Sequence, residues 1–246
     1  SEAEIRQFVE EIISWLERQG VKQVVIACNT LTMLGIDSLK KEHPFELIGM
    51  SKGEQLLLEA SKKKKIGVFA TQFTISTEVH KKAILAVDSS AEVYPMACPK
   101  FVPLIEGEQF GDPAVAEAVA EYAAPLKEAG IDTLILSCTH YPFIKDVVEV
   151  EFGNGVTVID PAEATAKLSK ASLEANGLLN NEEQGSVKIC CTADLERVKR
   201  LAARMLPAEA CQFQEISLII YRIKEIGRSV PLLLFLLLEK SDGKEL

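Results

Sequence analysis

The sequence lacks three features: an excess of positive charge, an apolar run long enough to span a membrane, and the pattern of a signal peptide in its first 20 residues. Its 246 residues carry 27 Lys and Arg against 36 Asp and Glu, a net charge of -9, whereas nucleic-acid binding needs clustered Lys and Arg. The apolar run 230–238 falls well short of the ~20 residues of a membrane helix. Residues 1–20 are charged and amphipathic, unlike a signal peptide. We therefore expect a cytoplasmic protein with no nucleic-acid partner and no membrane span.

The six cysteines have neither the CxxC spacing nor the His/Cys clustering of a zinc site. A disulfide framework is typical of short secreted chains, and this chain is long, with 48% apolar residues. We therefore expect reduced thiols, as in a cytosolic protein. Four of the cysteines have no matched counterpart along the chain and are expected to be structural: Cys98, Cys190, Cys191 and Cys211.

Apolar runs of strand length alternate with amphipathic helical segments along most of the chain. The predicted strands are 24–27, 45–49, 66–69, 91–95, 134–136, 156–159 and 187–191. The predicted helices are 2–19, 31–42, 53–63, 76–87, 113–129, 144–152, 162–176 and 194–206. This order predicts an α/β protein with a mostly parallel, doubly wound sheet, in which ligands bind at the carboxyl ends of the strands.

Two segments, 20–30 and 130–140, repeat one pattern. Each begins with glycine, continues through an apolar strand and reaches a cysteine, Cys28 or Cys138, eight residues after the glycine. One cysteine after a strand is usually a small core residue. Two in the same register, each before a polar pair and a helix, predict two pseudo-symmetric halves with one thiol from each half in the cleft between them.

The residues beside the two cysteines suit acid–base chemistry on an anionic substrate. A helix N-terminus stabilises a thiolate and binds anions. Asn29, Thr30 and Thr139 are short polar residues suited to holding a carboxylate. His140 lies two residues after Cys138, where it can assist proton transfer or serve as a hydrogen-bonded structural histidine.

Four stretches of the chain are similar to the glutamate racemases of the aspartate/glutamate racemase superfamily. The resemblance covers about residues 1–218 and is carried by ACNT at 27–30, SCTHYP at 137–142, KIGVFAT at 65–71 with Thr74, and ACPKFVPLIE at 97–106.

The resemblance implies racemisation of a free amino acid by proton removal and return at Cα, without pyridoxal phosphate or metal. It makes Cys28 and Cys138 the acid–base pair, with His140 assisting Cys138 and Glu106 as an accessory group. The implied role is supply of D-glutamate for peptidoglycan. The implied substrate contacts are Asn29, Thr30, Thr71, Thr74 and Thr139.

The residues alone leave structural alternatives open for part of this site. Glu106 also fits a solvated loop acid, and Thr71 and Thr74 also fit helix caps or loop hydroxyls. The substrate could be aspartate or another amino acid, since Leu31 and Thr32 follow the first cysteine motif where glutamate racemases usually have Ala-Ser. Relatives that are decarboxylases or other isomerases use one of the two cysteines differently.

Set against the family pattern, the chain starts inside the helix that follows a strand–helix–strand opening. We therefore expect a family member without that unit, whose exposed sheet edge favours association such as a homodimer. The alternative is an inactive protein that keeps the fold. The expected domains are 1–55 with 165–218, and 56–164. Residues 219–246 form an atypical tail, whose apolar run could be a docked helix or an interface element.

Overall fold

The computed structural model describes residues 2–33, 43–180, 185–207, 211–218 and 234–238. The chain divides into two compact units. The central unit comprises residues 23–173, and the terminal unit comprises residues 1–22 and 174–246. The expected domains place their boundaries elsewhere, near residues 55 and 164, and remain a prediction.

In the central unit, residues 23–33 and 43–173 as described contain six strands in two parallel sheets. The smaller sheet pairs β1 with β2, and the larger has the order β4-β3-β5-β6. The strands are β1 Gln23–Ile26, β2 Glu46–Gly49, β3 Lys65–Ala70, β4 Glu92–Ala97, β5 Thr133–Ser137 and β6 Thr157–Ile159.

Helices connect these parallel strands, as a parallel pair requires. α1, Glu2–Arg18, precedes β1 and belongs to the terminal unit. The helices that follow are α2 Asn29–Met33, α3 Glu54–Ala60, α4 Gln72–Ser76, α5 Val79–Val87, α6 Phe101–Glu106, α7 Pro113–Ala129, α8 Lys145–Phe152 and α9 Ala162–Ala175. A 3₁₀ turn, Tyr141–Ile144, lies directly before α8.

The larger sheet is buried on both faces. On β5, Leu134 and Leu136 pack into an apolar cluster with α6, α7 and α8. Ile135, between them, packs into a second cluster with Leu57 of α3 and Ile84 of α5. This alternation explains why the predicted strand is a continuous apolar run: a strand covered on both faces needs apolar side chains at every position.

The terminal unit contains α1 and a separate three-stranded sheet of order β8-β7-β9. Its other elements are β7 Val187–Cys191, α10 Leu195–Ala202, β8 Cys211–Glu215 and β9 Leu234–Leu238. β8 pairs with β7 in parallel, and β9 pairs with it antiparallel.

The glycines of the repeated segments have the conformation that the pattern requires. Gly20 follows α1 with φ 69°, and Gly130 ends α7 with φ 72°. Such values are left-handed and favour glycine at a helix C-terminus. Both helices therefore stop where the sequence predicts, and a strand leading to a cysteine follows each.

Two predictions about elements need correction. The helix predicted at 76–87 begins only at Val79, because Glu78 has φ 53° and interrupts the helical backbone, and Ser76 is the last residue of the separate helix α4. The docked helix considered for the apolar tail is wrong at 234–238, which form β9, while 219–233 and 239–246 lie outside the described residues. The predicted helix 31–42 is observed only to Met33, and residues 34–42 lie outside the described residues.

Candidate active site

Both cysteines of the repeat lie in the central unit, each just after a parallel strand. Cys28 follows β1 with one residue between, and Cys138 directly follows β5. Cys28 is half-buried, whereas Cys138 is 9% exposed. The two thiols interact electrostatically, since charge on Cys28 raises the pKa of Cys138. The structure therefore brings together the two thiols that the sequence pairs.

The Cys138 thiol is a weaker acid than the sequence predicts. Burial raises its pKa to about 11, and the charges of Cys28 and Glu106 act in the same direction. Backbone N–H groups of His140 and Tyr141 lower the pKa, but burial outweighs them. The expected N–H groups at this strand end therefore do favour the Cys138 thiolate, but their effect on the pKa is smaller than that of burial.

His140 and Glu106 form a chain of contacts that begins at the Cys138 sulfur. The Cys138 sulfur lies 3.8 Å from Nδ1 of His140. Nε2 of the same ring lies 3.2 Å from Oε1 of Glu106, the last residue of α6. The Glu106 carboxylate oxygen accepts a hydrogen bond from the protonated Nε2. The lone pair of Nδ1 is then free to accept the Cys138 proton. Glu106 is therefore not a solvated loop acid.

Asn29 is the most unusual polar residue beside Cys28. It begins α2 and is only 3% exposed, and neither its amide nitrogen nor its amide oxygen has a hydrogen-bond partner in the structure. An unpaired buried polar group costs about 1–3 kcal/mol. Such an amide is suited to hydrogen-bond a polar ligand that reaches it.

The predicted threonines differ in what surrounds them. Thr71 is the N-cap of α4, accepting the Thr74 backbone N–H, and the hydroxyls of Thr71 and Thr74 lie 3.1 Å apart. Thr74 is buried, whereas Thr139 is exposed. Thr30 lies in α2, and its side chain is outside the described part of the structure.

The hydroxyl of Thr32 holds the backbone around Cys28. In the sequence, Thr32 stands out only as a difference from the Ala-Ser that is usual in glutamate racemases. Thr32 donates from Oγ1 to the Cys28 carbonyl at 3.0 Å and accepts the Met50 N–H at 3.1 Å. It thereby links the first cysteine to the end of β2. A buried His80–Ser137 pair beside Cys138 was also missed, because nothing in the sequence joins residues 57 positions apart.

Comparisons with known proteins show the family to which the chain belongs. The family Asp/Glu/Hydantoin racemase matches residues 1–169. The chain belongs to this racemase family. It is 36% identical to the glutamate racemase of Lysinibacillus sphaericus over 74% of this chain and 69% of that protein. It is 38% identical to the glutamate racemase of a Picosynechococcus strain, covering 73% of this chain and 64% of the other.

Solved racemase structures share the fold. A glutamate racemase isoform of Bacillus anthracis superposes with a TM-score of 0.79 at 29% identity, over 89% of this chain and 81% of that one. The glutamate racemase of Francisella tularensis, solved in complex with D-glutamate, has a TM-score of 0.76 at 28% identity, over 88% and 81%. The predicted α/β class with parallel sheets is therefore confirmed.

Within the described ranges, no group of three or more His, Cys, Asp and Glu residues has an arrangement able to hold a metal ion. No helix among those same residues is both long and apolar enough to cross a membrane.

Proposed function

We propose that this racemase interconverts L- and D-glutamate, with Cys28 and Cys138 as its two acid–base groups. The observation that carries the proposal is the pair of interacting thiols, each at the carboxyl end of a parallel strand in one unit. Inversion at Cα needs a base on one face and an acid on the other, and two thiols on separate strands meet that need.

The proposed reaction moves one proton at each face. In one direction the Cys28 thiolate takes the Cα proton, the bonding electron pair stays on the substrate, and the Cys138 thiol donates its proton to the opposite face. Cys28 ends as the thiol and Cys138 as the thiolate. In the reverse direction the roles exchange. Because burial favours the neutral form of Cys138, this residue starts with the proton that it donates in this direction.

His140 and Glu106 assist the buried Cys138 thiol, whose pKa is raised. His140 Nδ1 accepts the Cys138 proton when this residue must act as a base. The Glu106 carboxylate then stabilises the positive charge on the ring through Nε2. Such an orienting pair is a common way to activate a thiol of high pKa.

Buried and loop polar groups hold the substrate in this proposal. Asn29 is the best supported of these groups, since its buried amide has both hydrogen-bonding atoms unpaired. Thr71 and Thr74, joined by their hydroxyls, sit at the start of the short helix α4. Supply of D-glutamate for peptidoglycan, a cytoplasmic location and a homodimer complete the proposal, together with roles for Thr30 and Thr139.

Exchange of the Cα hydrogen with solvent tests the reaction directly. We expect the 246-residue chain to replace the Cα hydrogen of both L- and D-glutamate with deuterium in D₂O, followed by NMR, and to bring the optical rotation of either enantiomer to zero. Aspartate, run in parallel, tests substrate choice. No exchange at any pH with either amino acid would overturn the proposal, and exchange of aspartate alone would transfer it to that substrate.

Single cysteine substitutions test the two-thiol assignment. We expect Cys28→Ala and Cys138→Ala each to lower the racemisation rate by at least about 100-fold, the usual worth of an acid–base group. Cys211→Ser, in β8 of the terminal unit, is the matched control and should keep the wild-type rate. Near-normal racemisation in either alanine variant would contradict the assignment.

A further inference from the structure

A buried histidine, His80, lies next to the strand end that carries Cys138. It is 4% exposed and sits on α5, one helical turn before Ile84 of the core. Its Nε2 lies 2.5 Å from the hydroxyl of Ser137, the residue directly before Cys138. Its Nδ1 lies 3.3 Å from the Lys52 carbonyl oxygen. None of the proposed proton transfers uses this residue.

The two neighbours of the His80 ring fix its tautomer. A carbonyl oxygen only accepts hydrogen bonds, so Nδ1 carries a proton and donates it to Lys52. Burial lowers the His80 pKa to about 4, which keeps the ring neutral at ordinary pH. Nε2 therefore has a free lone pair, and the Ser137 hydroxyl donates to it.

Ser137 cannot take part in the chemistry itself, because it is fully buried within the sheet. It lies on the same face of β5 as Ile135, toward α5, since alternate residues of a strand share a face. The bond to His80 therefore acts on the strand end rather than on the substrate. A strand end that cannot rotate or slide fixes the direction in which the next residue, Cys138, leaves the sheet.

The other bond of His80 reaches the segment that follows β2. Lys52 lies three residues after β2, which pairs with the strand leading to Cys28. In the same segment Met50 is bonded to Thr32, and Thr32 is bonded to the Cys28 carbonyl. Hydrogen bonds and short stretches of backbone thus connect the two cysteines by way of His80.

We propose that His80 is a positioning residue for racemisation: through Ser137 it fixes the Cys138 thiol relative to the strand pair that carries Cys28. This inference rests on the proposed two-thiol function and extends it to a residue outside the acid–base groups. Proton transfer is sensitive to such placement, since a displacement of about 1 Å can cost on the order of 100-fold in rate.

Primary isotope effects test the proposal, because they report on each thiol separately. With Cα-deuterated L- and D-glutamate, weakening one thiol makes its own proton abstraction more rate-limiting. The isotope effect on kcat/KM then rises for the enantiomer deprotonated by that thiol and falls for the other. Cys138→Ser and Cys28→Ser define the two opposite patterns.

The test variants are Ser137→Ala, which removes only the hydroxyl, and His80→Gln, whose amide oxygen can still accept from Ser137. We expect Ser137→Ala to lower kcat by about 10-fold or more, with KM within about twofold because no substrate contact is touched. Its isotope effects should shift in the Cys138→Ser pattern. His80→Gln should show a smaller shift of the same sign. His43→Gln, a histidine stacked on Phe45, is the control and should leave both isotope effects unchanged.

The outcomes separate this inference from the proposed function. If wild type does not racemise glutamate, or if the Cys28→Ser and Cys138→Ser patterns are not opposite, the two-thiol function fails. If those controls behave as expected and Ser137→Ala keeps wild-type isotope effects for both enantiomers, the His80 inference is overturned. A loss of rate with equal changes for both enantiomers also overturns it, since it indicates a general structural role. Ser137→Ala removes a single atom, so the test does not depend on folding of the His80 variant.

Discussion

At the residue scale, the environment of Cys138 decides what it can do. A thiol removed from water prefers its neutral form, and the nearby negative charges of Cys28 and Glu106 add to that preference. A thiol in this state holds the proton that the donating role needs, but it is a weak acid, and it can act as a base only after another group has taken that proton. The contact with His140, itself held by Glu106, supplies such a group.

The pH dependence of thiol alkylation follows from this environment. Only the thiolate reacts with iodoacetamide, and the Cys138 pKa is raised to about 11. We expect the alkylation rate of Cys138, read by peptide mass spectrometry, to rise about tenfold per pH unit from pH 7 to 10. In urea-unfolded protein the rate for the same peptide should reach half of its maximum near pH 8.5, the ordinary pKa, and level off about one pH unit above it. A half-maximal rate below pH 9 in the folded protein would contradict the burial argument.

At the element scale, β5 serves both the core and the site. Its side chains fill one apolar cluster on each face of the larger sheet, and its last residue, Ser137, is bonded to His80. The packing that stabilises the strand therefore also places the cysteine that follows it. Loss of packing within β5 should lower stability even where no active-site atom is changed.

Truncation of Leu136 tests this packing. Leu136 is buried against α7 and α8, so Leu136→Ala should lower the free energy of unfolding by about 2–5 kcal/mol through lost burial and a cavity. Val150→Ala, at a side chain that is 84% exposed on α8, should change it by less than about 0.5 kcal/mol. Hydrogen exchange of the β5 peptide measures the loss of stability in each of the two variants. Equal protection in the two variants would show that β5 is not tightly packed.

At the scale of the whole molecule, a buried neutral histidine makes folding depend on pH. Burial lowers the His80 pKa from 6.5 to about 4, against an opposing Glu54 charge and with a smaller contribution from the Lys52 charge. In the unfolded chain His80 binds a proton below pH 6.5, whereas in the folded protein it stays neutral down to about pH 4. The stabilisation is therefore complete above pH 6.5 and is lost as the pH falls through 4.

The size of this effect is measurable in the central unit. The lowering of the His80 pKa corresponds to about 3 kcal/mol in the free energy of unfolding. We expect hydrogen-exchange protection of β3 and β5 peptides, corrected for intrinsic exchange rates, to fall between pH 6.5 and 4.5. His80→Gln should be less stable at pH 7, and its protection should fall less steeply over that range. Parallel slopes for wild type and His80→Gln would show that His80 is not the titrating group.

Although it did not indicate α4, α6, β8 or β9, the sequence by itself determined most of the alternation of helices and strands and predicted the pairing of Cys28 with Cys138. These features are local: apolar runs specify buried strands, and Gly20 and Gly130 end helices because glycine adopts φ near 70° without strain. The resemblance to racemases pointed correctly to the family, since ACNT and SCTHYP are contiguous motifs.

Only the tertiary structure decided the environment of those residues. The raised pKa of Cys138 depends on how much water the packing excludes. The Glu106–His140 contact and the His80–Ser137 bond join residues 34 and 57 positions apart. Burial and long-range hydrogen bonds are properties of the packed sheet and its helices. No window of the sequence contains them.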